Sequence, residues 1–274
     1  MIDFDLARRI ESAEAAAGQA FALAAREANP SGGAAVEKLA GGWALYSGAG
    51  SPVNQALGVG LEGPVEAAGF DALEAFFFDR GEPAIYEICP FGDASLLALL
   101  GARGYRPVEF SQVLFRSLDD LASDSGPADI AVAQVAPDEA MRWSEIVAQG
   151  FFEAGGAPAD LVAIMASMAT AAGTSAWLAT REGATAGGGA LSVAQKVALF
   201  AGQSTLPEFR CRGVQGALIR AGLAAARAQG ADLAAAMTLP GSGSQRNFER
   251  AGFRVAYTRL KVERSVPESW RRAS

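Results

Sequence analysis

Residues 204–218 read Ser-Thr-Leu-Pro-Glu-Phe-Arg-Cys-Arg-Gly-Val-Gln-Gly-Ala-Leu, and the fold turns on how this stretch is read. An apolar run with Val197, Leu199 and Phe200 leads into Pro207, as a buried strand would. Arg210 to Gly213 makes a turn, after which Val214, Leu218 and Ala221 recur on one face of a helix. A glycine turn that opens a helix leaves backbone N–H groups unpaired at the positive end of the helix dipole, where they bind phosphate. Arg210 and Arg212 add positive charge at the same place. The stretch predicts a pyrophosphate cradle between a strand and a helix. The plainer alternative is an ordinary glycine turn at a helix start.

Two other phosphate motifs are not expected in the chain: a Gly-x-x-x-x-Gly-Lys-[Ser/Thr], the P-loop of nucleotide triphosphatases, and a Gly-x-Gly-x-x-Gly after a strand near the start of a βαβ unit, the mark of a dinucleotide site. What remains resembles the acyl-CoA loop of the GCN5-related N-acetyltransferases, [Arg/Gln]-x-x-Gly-x-[Gly/Ala] between a fourth strand and a third helix. Arg210 and Gly213 match, Gln215 replaces the final small residue, and Gly216 and Ala217 follow at once. The order downstream matches too. Gly230-Ala231-Asp232 ends the helix, Leu233 to Met237 reads as a buried strand, and Gln245 to Ala251 as a short helix. Gly252-Phe253 stops that helix, and Arg254 to Val262 reads as a last strand. The resemblance covers residues 196–264 closely and 129–264 in outline.

Composition sets the outer bounds. The chain has 274 residues, half of them hydrophobic, enough for two domains with a sizeable core. Its formal net charge of −7 argues against general affinity for nucleic acid or anionic membranes. No long apolar run predicts a transmembrane helix, and the acidic start Met1-Ile2-Asp3-Phe4-Asp5 is not a secretory signal. Cys89 and Cys211 are too few for a disulfide framework and are expected as reduced thiols in a cytoplasmic protein. The absence of histidine removes Ser-His and Cys-His nucleophile pairs, and no metal site is expected.

An internal repeat is the second feature. Residues 85–117 and 233–265 align at a constant offset, 252 − 104 = 148, which places Gly104-Tyr105-Arg106 on Gly252-Phe253-Arg254 and Arg116-Ser117 on Arg264-Ser265. Duplication explains this; so does chance recurrence of a strand–helix–strand pattern. The expected fold class is therefore α/β in the α+β sense, with two tandem acetyltransferase-like domains. Each is a mixed, mostly antiparallel sheet flanked by helices. Residues 1–120 form a degenerate copy and 128–274 the copy with the loop, joined by the acidic linker Leu118 to Ala128. In the first copy, residues 3–28 suit a helix, Gly42 to Ser47 and Asn54 to Leu61 strands, and Phe70 to Arg80 the helix that should follow a cradle. The segment before it, Leu61 to Gly69, has no Arg-x-x-Gly and carries Glu62 and Glu66, which would repel a pyrophosphate.

The resemblance implies acetyl-CoA, or another acyl-CoA, as cofactor. Its contacts are expected from Ser204, Thr205 and Leu206 on the strand, and from Arg210, Cys211, Arg212, Gly213, Val214, Gln215 and Gly216 in the loop. Ser244 and Asn247 are expected beside the last helix, with helix capping as the alternative for Ser244. The implied reaction is N-acetylation of a small-molecule or peptide amine by direct attack in a ternary complex. It needs a backbone N–H near Thr205 or Leu206 for the oxyanion and a proton for the leaving thiolate. Many family members supply that proton from a tyrosine; the matching residue here is Phe248. Tyr257 is a stand-in, or a packed strand aromatic. Phe151, Phe152 and Glu153 flank the acceptor position, with a core role favoured for Phe151. Lys196 to Gln203 holds no carboxylate base. Monomer and homodimer both remain open, as does a non-catalytic acyl-CoA-binding or regulatory protein of the same fold, and an unrelated α/β protein with a coincidental cradle.

Overall fold

The computed structural model describes residues 2–119, 128–152 and 156–271. The chain forms two compact units, Met1–Ser111 with Tyr257–Ser274, and Gln112–Ala256. These bounds differ from a division into 1–120 and 128–274, and the strands give the reason. Most of the expected linker lies outside the described residues.

The first unit opens with α1 (Phe4–Ala28), an alanine-rich helix whose N-cap Asp3 accepts the Leu6 N–H at 2.9 Å. Then come β1 (Ala35–Leu39), β2 (Gly42–Tyr46), β3 (Gln55–Leu57), α2 (Ala67–Phe78), β4 (Ala84–Ile88), α3 (Ala94–Ala102) and β5 (Arg106–Ser117). The second unit holds β6 (Ile130–Gln134), α4 (Ala140–Phe151), α5 (Ala159–Thr170), β7 (Thr174–Arg181), β8 (Ala184–Ala194), β9 (Val197–Thr205), α6 (Val214–Ala228), β10 (Leu233–Thr238) and α7 (Gly243–Arg250). β11 (Arg254–Arg264) and α8 (Glu268–Arg271) end the chain. Among the described residues no helix is long and apolar enough to cross a membrane.

In the first unit β1, β2 and β3 pair antiparallel, β3 and β4 parallel, and β4 pairs antiparallel with β11 through Ile88↔Leu260 to Ala84↔Arg264. In the second, β6 to β9 form an antiparallel run, β9 and β10 pair parallel, and β10 pairs antiparallel with β5 through Thr238↔Gln112 to Leu233↔Ser117. Each sheet thus incorporates the last strand of the other sequence copy. The helix ends preceding the two strands match across the repeat. Tyr105 N–H bonds Leu100 O at 3.1 Å and Phe253 N–H bonds Phe248 O at 3.1 Å, the same helix ending 148 residues on. Gly104 and Gly252 take φ of 73° and 83° at the same point, which glycine alone adopts without strain.

A Gly-x-Gly-x-x-Gly does occur, at Gly58-Val59-Gly60-Leu61-Glu62-Gly63 between β3 and α2, and it is closed. Val59 and Leu61 are buried, Leu61 N–H bonds Gly58 O, and Gly60 O accepts the Asp93 N–H at 2.9 Å. A Cβ on Gly60 would lie 3.3 Å from Asp93 N, so this glycine serves close backbone packing, while Gly58 and Gly63 serve turns of positive φ (72° and 124°).

The second unit's core is built on Phe200, Phe248 and Phe253, mutually edge-to-face at 5.0 to 5.8 Å, under Leu218, Ile219 and Leu223 of α6. The first unit's core holds buried charge as well as apolar side chains. Arg259 on β11 is 1% exposed, and its Nε donates to Glu11 Oε1 of α1 at 2.8 Å. Its Nη2 reaches Glu14, while Tyr257 donates its hydroxyl to Glu11 Oε1 at 2.7 Å. Removing one partner of such a pair strands the other. Arg259→Met should cost about 3–5 kcal/mol by urea denaturation, and adding Glu11→Leu should recover a large part of that loss.

Candidate active site

The site begins with an irregularity in β9. Thr205 and Ser204 face Gly187 and Gly188 of β8, but the register then resumes at Ala201↔Ala190. Gly202 and Gln203 therefore stand opposite Gly189 alone, a β-bulge. Gly202 has φ 59°, and a Cβ there would lie 3.2 Å from the Trp143 ring. β9 pairs with β10 only from Val197↔Leu233 to Phe200↔Ala236. Past the bulge the two strands have no pairing, and β9 presents an unpaired edge. Leu206 N–H bonds Ala186 O of β8 at 3.0 Å, so by antiparallel alternation the Thr205 amide and carbonyl face the open side. Arg210 Nε donates to that carbonyl at 3.4 Å.

Beyond β9 a single turn at Pro207–Phe209 delivers the chain to the start of α6. Arg210 N–H bonds Pro207 O, and the next backbone bond is Ala217 N–H to Gly213 O at 3.0 Å. The amides from Cys211 to Gly216 have no backbone acceptor among the described residues. Gly213, at the N-cap of α6, has φ 86°, and Cys211 has φ 60°. A cleft of about 1780 Å³ lies over these amides. It is lined by Arg116, Arg210, Arg220, Arg227, Arg246 and Arg250, and no Asp or Glu lines it among the described residues. The reversal of sign against a net charge of −7 makes the cleft a focus for anions.

Most expected contact residues meet here. Ser204, Thr205, Arg210, Cys211, Gly213, Val214, Gln215, Gly216, Ser244 and Asn247 all line the cleft. Leu206 does not: it is 7% exposed and its N–H is spent on Ala186, so Thr205 alone can serve the role expected of either. Arg212 is exposed and does not line the cleft; its carbonyl accepts from Arg181 at 3.4 Å. Ser204 is buried, with Oγ donating to Val147 O at 2.9 Å. Ser242, not Ser244, caps α7. Ser244 Oγ instead accepts from Gln215 Nε2 at 2.8 Å, and Asn247 Nδ2 donates to Gln215 Oε1 at 2.7 Å. The residue that departs from the family pattern thus clasps α7 to the first turn of α6.

Three expectations need correction or limitation. Phe151 is 55% exposed and lines the cleft, so it is not a core residue. Phe152 follows α4 and is 38% exposed but lies off the lining, and Glu153 is outside the described residues. Tyr257 belongs to the first unit, is 7% exposed, and is committed to Glu11; burial there holds its pKa well above that of an ordinary tyrosine. It is the packed strand aromatic, not a proton donor to this cleft.

Residues the sequence did not single out are Gln203, Gly150 and the arginines beyond the loop. Arg220 and Arg227 repeat at two turns and Arg246 and Arg250 at one, which is the signal that could have found them. Gly150 ends α4 against β9. Its carbonyl accepts from Arg210 Nη2 at 2.9 Å, and a Cβ on it would lie 1.8 Å from Ser204 Oγ.

Neither a family model nor a curated protein sequence matches the chain. Solved structures do. A GCN5-related N-acetyltransferase from Kribbella flavida superposes with TM-score 0.65 at 19% identity, over 88% of this chain and 95% of that one. A tandem protein of that class from the clavulanic acid biosynthesis pathway gives 0.57 at 18% identity, over 82% and 79%. One from Sphaerobacter thermophilus gives 0.53 at 18%, over 68% and 60%. The fold is that of the tandem GCN5-related N-acetyltransferases.

The seat of α4 on β9 is directly testable. Gly150→Ala should lower the melting temperature by several degrees, and Ser204→Ala should lower it by less, through loss of the hydroxyl bond to the Val147 carbonyl. The double variant should melt above Gly150→Ala alone, because removal of Oγ admits the new methyl.

Proposed function

We propose that the second unit is an acyl-CoA-dependent N-acyltransferase, with acetyl-CoA as donor and a small-molecule or peptide amine as acceptor. The observation that carries the proposal is the row of open amides from Cys211 to Gly216 at the mouth of a cleft lined by six arginines, directly beside the unpaired edge of β9. The residues fit such a donor at three points. The amides of α6's first turn suit a pyrophosphate. The edge of β9 suits the amide groups of a pantetheine arm, which would add to it as a strand does. The opening past the bulge suits the acyl end, flanked by Phe151 and Gln203. When bound, the donor supplies an activated acetyl thioester.

The chain's own contribution is then mostly alignment and one hydrogen bond. The Thr205 N–H is positioned to donate to the carbonyl oxygen as it gains charge. Holding amine and thioester in register supplies most of the remaining rate. Among the described residues, no carboxylate, tyrosine or histidine lines the cleft, so none of these is assigned here as acid or base. By this reading the acceptor amine arrives neutral or loses its proton to water. The first unit, by this reading, is a silent copy, because its glycine loop is packed shut and Glu66 stands at the N-cap of α2.

The same shortage of acid and base favours a second reading, a non-catalytic acyl-CoA-binding protein of this fold. Two experiments test the pair. In a calorimetric titration the wild type should bind acetyl-CoA, and Gly213→Arg should not, since it fills the cradle and forces an L-residue to φ near 86°. Absence of wild-type binding at millimolar donor removes both readings. Where amines then drive CoA release, kcat/KM should rise tenfold per pH unit up to the acceptor's own pKa, whichever acceptor is used. A plateau at one fixed pH for amines of different pKa would reveal a protein base and refute this account of the chemistry; no release with any amine favours the binding protein.

A further inference from the structure

We propose that the groove between α6 and α7 binds a second phosphate, set apart from the pyrophosphate position, and so selects donors carrying the 3′-phosphate of free coenzyme A. The inference rests on the acyl-CoA reading above and deepens it. A pyrophosphate on the first turn of α6 is served by open amides and needs nothing further along the helix. Yet the lining continues down the same face of α6 to Arg220, which stands six residues past Val214, about 9 Å along the axis. On the other wall, Arg246 and Arg250 repeat at one helical turn along α7. Arginines spaced in this way on two facing helices, with no carboxylate among the described lining residues, describe a site for an anion distinct from the first.

The hydrogen bonds around the groove keep it charged. Arg250 Nη1 donates to the neutral Asn247 Oδ1 at 2.9 Å, and Arg246 Nη1 donates to the neutral Gly241 O at 2.6 Å. Each bond orients a guanidinium without neutralising it, and each guanidinium retains further N–H groups. The Gln215 clasp to Ser244 and Asn247 then fixes α7 against α6, so that its arginines are held in place before any ligand arrives. In a coenzyme A thioester the charged group next to the pyrophosphate is the ribose 3′-phosphate, a dianion suited to a bidentate guanidinium. A pantetheine carried on a protein has no such group. The groove therefore sorts donors by their nucleotide end.

The test is a calorimetric titration of the full chain with acetyl-CoA and with acetyl-3′-dephospho-CoA. The wild type should bind the first about tenfold to a hundredfold more tightly, as expected for one or two charge-assisted hydrogen bonds. Arg220→Gln/Arg250→Gln should bind acetyl-CoA only as well as the wild type binds the dephospho donor, and should leave dephospho affinity within about twofold. Equal wild-type affinity for the two donors overturns the inference while leaving the acyl-CoA reading intact, and that comparison requires no variant to fold. Equal loss for both donors in the double variant also overturns it. Failure of the wild type to bind either donor overturns the inference together with the reading beneath it.

Discussion

The second unit depends on a single interruption, the bulge at Gly202 and Gln203 in β9. Up to Phe200 the strand is an ordinary interior member of its sheet, hydrogen-bonded on both sides. One added residue ends the match to β10, and the last turn of the strand is left paired on one side only. An unpaired strand edge in a protein interior would be costly, and at a surface it invites another strand. Here it is placed beside a helix whose first amides are also unpaired. The bulge, with its glycine in a left-handed backbone, thus leaves an unpaired strand edge next to a row of unpaired helix amides.

Charge is separated between the units in a way that net charge conceals. The second unit gathers arginines around a cleft that no described carboxylate lines, whereas the first pairs its buried cations with carboxylates. Arg259 is held by Glu11 and Glu14, and Arg103, Tyr105 and Arg264 converge on Glu74. Cations paired in this way define packing and have no electrostatic capacity left for a ligand. In the cleft, Arg116, Arg210 and Arg246 donate to backbone carbonyls and Arg250 to the Asn247 amide, all neutral acceptors.

How much of this was legible beforehand depended on the range of the forces involved. The run from Val197 through Pro207 to Gly213 and Val214 is decided by neighbours in sequence, and strand, turn and helix fall where the residues place them. The glycine loop at 58–63 shows the limit: its spacing is that of a phosphate loop, but the Gly92–Asp93 turn packs on it and closes it. The exchange of β5 and β11 was not legible, because the two strands occupy equivalent positions in the repeat and carry similar patterns; sequence alone does not say which completes which sheet. Tyr257 was misplaced for the same reason, since its partner Glu11 lies 246 residues away.

Arg210 shows how the loop residue most easily read from sequence does more than its motif suggests. One of its nitrogens holds the Thr205 carbonyl and another the Gly150 carbonyl at the end of α4. The side chain thus fastens the edge of β9 to the helix that carries Phe151, across a contact so close that no side chain fits at Gly150. Its positive charge also sits on the C-terminal carbonyls of α4, where a helix dipole favours it. The Ser204 hydroxyl, bonded to the Val147 carbonyl at 2.9 Å, makes a second tie between the same strand and helix. The loop before α6, the edge of β9 and the end of α4 are therefore joined through one side chain, that of Arg210.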